Sequence, residues 1–196
     1  MPIDFFKQFI SPPTLTTPRL ILRKILPQDA NDMFSYASRQ DVTAYLLWSP
    51  HPDLAYTVKY LKYVQGEYKK GRFFDWAIIL AETERMIGTV GFTELDRVNM
   101  TAEIGYVVNP DYHGMGIATE AVSAVIGYAF CELKIERVEA RYMVGNTASL
   151  RVMEKCGMKK EGILRSLMEV KGIRRDIGIC SILRSEWKDK NKKVID

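Results

Sequence analysis

The sequence predicts an α/β fold of α+β character: a mixed, mostly antiparallel seven-stranded sheet with one parallel strand–helix–strand crossover and flanking helices. Three observations carry this expectation. Residues 73–81, 85–95 and 101–108 are apolar or alternating runs of strand length, separated only by the hairpin-length connections 82–84 and 96–100. The period then changes at 116–133, a helical run with no charge between Glu120 and Glu132, as expected of a helix buried on most of its circumference. A further strand-like run, 135–144, follows, so 101–144 reads as a right-handed parallel crossover.

The other elements follow in chain order. Residues 1–16 read as an extended lead-in with Pro12 and Pro13, whose Phe5, Phe6, Phe9 and Ile10 are able to dock on the body or to stay mobile. The main domain is expected over 17–187. Residues 19–25 alternate apolar and basic side chains, a strand signal. Residues 27–38 form a helix with Pro27 near its start and Ala30, Met33, Phe34 and Ala37 on one stripe. Residues 53–70 form another, ending in Lys69-Lys70-Gly71, a basic last turn and a stop. Residues 147–156 make a short helix closed by Gly157, and 158–169 with 174–183 make a final hairpin around Lys171-Gly172. A basic tail, 188–196, ends the chain.

Composition narrows the function classes. At 196 residues, 47% hydrophobic and 27% charged, the chain has the balance of a soluble globular domain. Its longest uncharged stretches, such as 121–131, run to eleven residues, where a membrane span needs about 20. No membrane association is expected, and without a basic-then-apolar leader the cytoplasm is the expected address. The net charge is +4, and the tail supplies part of it through four lysines against two aspartates, so the body gives no platform for direct nucleic-acid binding. The three cysteines form neither a disulfide framework nor a zinc site and read as small buried hydrophobes. Neither of the two histidines, His51 and His113, sits in a metal-spaced cluster, so no metal is expected.

The informative stretch runs from Glu103 to Glu120. A strand ends near Val108, a polar loop follows, and Gly114 and Gly116 precede the apolar helix. Glycines there let a backbone approach a bulky anion, and the helix start presents N–H groups where the dipole favours negative charge. This layout reads as a phosphate or pyrophosphate cradle, with an ordinary two-glycine turn as the alternative. It is not a Walker loop, since no Gly-Lys pair occurs. Nor does it match the dinucleotide fingerprint, which needs Gly or Ala where Thr119 stands and follows a first strand rather than a fourth.

The run Tyr112-His113-Gly114-Met115-Gly116-Ile117-Ala118-Thr119-Glu120-Ala121 resembles the acetyl-CoA loop of the GNAT N-acetyltransferases, whose usual form is Gln/Arg-x-x-Gly-x-Gly/Ala. The resemblance extends through Thr17-Pro18-Arg19-Leu20-Ile21-Leu22-Arg23, Ile87-Gly88, Glu103-Ile104-Gly105-Tyr106, Asn146 with Ser149, Lys155-Cys156-Gly157-Met158, Glu161-Gly162 and Glu186-Trp187. It covers about 17–187 and is greatest toward the branch that acetylates the N-terminal amines of ribosomal proteins. His113 departs from the usual Gln or Arg, and Cys156 and Met158 replace the usual Leu and Phe.

The resemblance implies an acetyl-CoA-dependent enzyme transferring acetyl directly to a primary amine, with acetyl-CoA as co-substrate. It implies that His113, Gly114, Met115, Gly116, Ile117, Ala118 and Thr119 hold the diphosphate. Val107 and Val108 would offer backbone groups to pantetheine, and Asn146 its side-chain amide. Glu103 would serve as base through water, and Ser149 as donor to the leaving thiolate. The acceptor implied is the N-terminal amine of a ribosomal or other protein. A small amine (polyamine, aminoglycoside or amino acid) stays open, as does a non-catalytic acyl-CoA-binding module. The chain is expected to be a monomer or homodimer.

Amine chemistry sets what such a base must do. An α-amino group with a pKa near 7.8 is about one part in seven neutral at pH 7, whereas a lysine near 10.4 is neutral in roughly one part in 2,500. The difference is about 3.5 kcal/mol, so an N-terminal acceptor asks little of its base. The acceptor wall is expected from the helices and loops of 29–70, where Tyr45, Leu46, Leu47, Trp48, Tyr56 and Tyr60 crowd together, with core packing as the alternative for at least half of them. Phe73, Phe74 and Trp76 are expected to pack under the sheet.

Overall fold

A computed structural model describes residues 9–187. Its strands are β1 (Leu15–Thr16), β2 (Leu20–Arg23), β3 (Asp75–Leu80), β4 (Arg85–Asp96), β5 (Thr101–Val108), β6 (Arg137–Met143), β7 (Lys159–Val170) and β8 (Ile173–Leu183). Its helices are α1 (Ala30–Ala37), α2 (Gln40–Thr43), α3 (Leu54–Lys69), α4 (Ile117–Cys131) and α5 (Thr147–Lys155). The strands form one sheet in the order β1-β2-β3-β4-β5-β6-β8-β7. Its one parallel pair is β5 with β6, in the register Thr101↔Arg137 to Glu103↔Glu139, so the predicted crossover is present.

The sheet has eight strands rather than the seven expected. The additional one, β1, lies in the predicted lead-in and pairs antiparallel with β2 through Leu15↔Leu22 and Thr16↔Ile21. Two residues are too few to display a period. The lead-in is also anchored through its aromatic residue. Phe9 is fully buried, with ring centroids 4.7 Å from Phe74 and 5.6 Å from Trp76. The Trp76 indole donates to the Pro13 carbonyl at 2.7 Å. Ile10 is exposed, and Phe5, Phe6 and the tail 188–196 lie outside the described residues. Trp76 is fully buried, while Phe73 and Phe74 are half-buried.

Two compact units divide the described residues: 9–91 with 106–124, and 92–105 with 125–187. The core of the first gathers Ile25, Met33, Tyr36, Leu61, Val64 and Tyr68 with strand residues Ala77 and Ile79. Its helices end where local chemistry dictates. Asp53 caps α3 by accepting from the Tyr56 amide at 2.7 Å, and Gly71, at φ 64°, follows the last turn. In the second unit, β8 pairs with β6 on one side and β7 on the other, and β7 turns into β8 at Lys171-Gly172, both at positive φ.

The cysteines correct an expectation. Cys180 is buried, but Cys156 is half-buried and Cys131 is exposed. Cys131 is the last residue of α4, past the buried run that ends in Tyr128, Ala129 and Phe130.

Candidate active site

The glycine loop belongs to the first unit. β5 ends at Val108, and buried Asn109 then caps a short 3-10 turn (Pro110–Tyr112) by accepting from the Asp111 amide at 3.1 Å. Arg39 reaches Asp111 at 2.8 Å. The His113 ring turns back on the strand, its Nε2 donating to the Val108 carbonyl at 2.9 Å. The His113 side chain is therefore engaged with the end of the strand that leads into its loop.

Gly114 and Gly116 take φ of 78° and 77°, a region costly for any side chain. A Cβ at Gly114 would meet nothing within 4 Å, so at this residue conformation rather than space calls for glycine. The loop from His113 to Gly116 is exposed, Ile117 is buried, and Ala118 and Thr119 are half-buried. An anion at the loop would thus face the first turn of α4, whose N–H groups have no preceding helical carbonyl.

Arg19 and Glu120 brace this loop, and sequence reasoning gave neither a role. The Arg19 Nη1 donates to the Met115 carbonyl at 2.8 Å. Its Nε and Nη2 meet Glu120 Oε2 at 2.7 and 2.6 Å. The other Glu120 oxygen accepts from the Thr17 hydroxyl at 2.6 Å and the Arg19 amide at 3.0 Å. Burial would raise the Glu120 pKa, but these donors outweigh it and hold it below the ordinary carboxylate value. The Thr17-Pro18-Arg19 motif was the available signal; its partner lies about a hundred residues downstream.

The predicted Glu103, Asn146 and Ser149 lie in the second unit. Glu103, on β5, is largely buried. It accepts from Thr93 Oγ1 at 3.0 Å and pairs with Arg141 Nε at 3.0 Å. Burial raises its pKa, and the Thr93 hydrogen bond and the Arg141 charge offset only part of that rise. A carboxylate whose pKa is raised is a better proton acceptor than an ordinary glutamate. Asn146 caps α5, its Oδ1 accepting from the Ser149 amide at 3.1 Å. That leaves the Asn146 NH2 as the group able to donate to an amide carbonyl. Ser149 stands half-buried in the first turn of the helix.

A third arrangement lies in the first unit. A cavity of about 200 Å³ is lined by residues of α1, α3, β3 and the loop before α3, with Val107 on its wall. Trp48, Tyr56 and Tyr60 line it as the aromatic crowding suggested, whereas Tyr45, Leu46 and Leu47 are not part of the lining. His51 is the hub, its ring 5.5 Å from Trp48, 4.9 Å from Tyr56 and 5.7 Å from Tyr60. Its Nδ1 is 2.8 Å from Thr57 Oγ1, and burial lowers its pKa. Among the described residues no group of His, Cys, Asp and Glu could hold a metal ion, and no helix is long and apolar enough to cross a membrane.

A glycine loop at positive φ thus leads into the crossover helix of a mixed sheet. The model of the acetyltransferase (GNAT) domain family matches residues 19–159. The chain is 35% identical over 174 residues to the uncharacterized N-acetyltransferase p20 of Bacillus licheniformis, covering 89% of this chain and 98% of that one. It is 25% identical over 181 residues to the ribosomal protein uS5-alanine N-acetyltransferase of Escherichia coli, covering 88% and 92%. Among crystal structures, a GNAT-family acetyltransferase from Bacillus anthracis superposes with a TM-score of 0.80 at 29% identity, covering 89% of this chain and all of that one. The chain belongs to the GNAT acetyltransferase family and is an acetyl-CoA-dependent N-acetyltransferase.

Proposed function

We propose that this enzyme transfers acetyl directly from acetyl-CoA to the N-terminal amine of a protein, a ribosomal protein foremost. The observation that carries the co-substrate assignment is the braced loop with Gly114 and Gly116 at positive φ ahead of α4. The acceptor reading is supported by the likeness to the uS5-alanine enzyme.

In this reading the main-chain amides from Gly114 to Thr119 hold the diphosphate, with His113 shaping the loop through Val108. Backbone groups of Val107 and Val108 and the Asn146 NH2 bind the pantetheine amides. The neutral amine attacks the thioester carbonyl carbon, forming the C–N bond. Glu103 takes the proton lost by nitrogen through a bridging water. Collapse of the tetrahedral intermediate breaks the C–S bond, and Ser149 hydrogen-bonds the departing thiolate. A thiol with a pKa near 8.5 is a stable enough leaving group to need no stronger acid.

The test is an acetyl-CoA turnover screen against ribosomal proteins, N-terminal peptides and small amines, with mass spectrometry locating the acetyl group. Acetylation of a protein α-amine is expected. Turnover confined to polyamines, aminoglycosides or amino acids would replace the acceptor reading. Coenzyme A binding with no turnover on any amine would make the chain a binding module.

A further inference from the structure

The cavity beside Val107 contains one acid, Asp75, at the start of β3. Among the described residues, no hydrogen bond or ion pair reaches its carboxylate; only its backbone carbonyl is engaged, by the Tyr68 hydroxyl at 2.6 Å. The nearby acids are already matched. Asp29 pairs with Arg23 at 2.7 Å and Asp32 with Arg85 at 2.7 Å. The space for the Asp75 side chain is built into β4. A Cβ on Gly91 would lie 2.2 Å from Asp75 Oδ1 and 2.4 Å from both the Asp75 Cα and the Phe74 carbonyl, so glycine there admits the close approach of this backbone together with the carboxylate.

A half-buried carboxylate with no cation beside it loses hydration that an aromatic wall does not replace. The same wall is well suited to a cation, because the faces of Trp and Tyr attract one as the carboxylate does. Resting on the acetyltransferase reading above, we propose that this cavity is the acceptor subsite and receives the acceptor amine as a single ammonium group on a short apolar stem, paired with the Asp75 carboxylate and flanked by Trp48, Tyr56 and Tyr60; the ammonium passes one proton to that carboxylate before the neutral amine attacks. A polyamine fits poorly, since its further charges would find no second unpaired carboxylate in the lining. An anion is repelled by Asp75.

The groups facing Asp75 are Tyr36 of α1, Tyr56, Tyr60 and Tyr68 of α3, and His51 of the preceding loop. Burial raises the phenol pKa values of Tyr36, Tyr60 and Tyr68 and lowers that of His51, so these groups stay uncharged between pH 7 and 9. Burial lifts Asp75 to about 7. Ammonium capture should therefore strengthen as pH rises through that value.

The experiment uses n-butylammonium chloride as probe, n-butanol as its uncharged analogue, and the indole N–H signals of the 15N-labelled full chain. Of Trp48, Trp76 and Trp187, only Trp48 lines the cavity. Butylammonium should shift the Trp48 signal saturably while the Trp187 signal stays. Butanol should bind at least tenfold more weakly, Asp75→Asn should weaken butylammonium at least tenfold, and wild-type affinity should rise several-fold from pH 6.5 to 8. Equal binding of butanol, or unchanged binding to a folded D75N protein, overturns the proposal. If D75N does not fold, the wild-type comparison of charged and uncharged probes decides. Coenzyme A is titrated into the same sample. Coenzyme A binding and amine acetylation without a butylammonium response would remove the subsite and leave the acetyltransferase reading. A butylammonium response without coenzyme A binding would do the reverse.

Discussion

Glu103 is a half-desolvated acid held by one hydroxyl and one guanidinium, and its behaviour follows from that setting. As the proposed base it works deprotonated, so kcat should rise with pH along an acid limb centred above the ordinary glutamate pKa, because burial raises its own. Glu103→Gln should lower kcat by about 10²-fold, a general-base loss, with coenzyme A affinity within twofold. Steady-state kinetics and calorimetry on the variant separate these; a lost affinity with kcat intact would assign Glu103 to binding. Asp75 gives the opposite kind of test, one of stability. Its folded-state pKa, about 7, lies above the unfolded value near 3.9. Its contribution is therefore fully present below pH 4 and lost as pH rises through 7. Asp75→Asn should melt above wild type at pH 8, with the difference closing toward pH 5; a variant that melts lower at pH 8 contradicts the desolvated-carboxylate reading.

The glycine loop and α4 depend on an element far from them in sequence. β2 enters with Arg19 at its edge, and that residue ties the Met115 carbonyl to Glu120 in the first turn of the helix. Arg19→Ala should leave the chain folded but loosen the cradle. The expected result is roughly tenfold weaker binding of coenzyme A by calorimetry with kcat at saturation little changed. Unchanged affinity would show that the loop holds its shape without the brace. Much of this was legible beforehand, because alternation marks β2, strand-length runs with hairpin-length punctuation mark β3 and β4, glycine marks the ends of α3 and α5, and an uncharged run marks α4. What stayed hidden were pairings between distant residues. Neither the two-residue β1, the Arg19–Glu120 brace nor the His113–Val108 bond leaves a periodic trace. Asp75 falls inside the run 73–81 with nothing in the sequence to mark it, and its partial burial comes from packing by α1 and α3.

For the whole molecule, binding of coenzyme A must appear as stability. A ligand at a hundred times its Kd stabilises a folded chain by about 2.7 kcal/mol. For a chain of this length that corresponds to a rise in Tm of roughly 5–10 °C, measurable by scanning calorimetry. An absent shift at saturating coenzyme A would mean that the folded chain does not bind it. The family and fold were readable from ordered motifs spread over the domain, whereas the acceptor was not, since the cavity proposed for it is assembled from aromatic residues with no fixed spacing. The account rests on a backbone cradle for a diphosphate, and a crystal structure of the coenzyme A complex examines that most directly. The diphosphate oxygens should lie within about 3.2 Å of amide nitrogens between Gly114 and Thr119. A diphosphate bound elsewhere, with that loop left to solvent, would contradict the account.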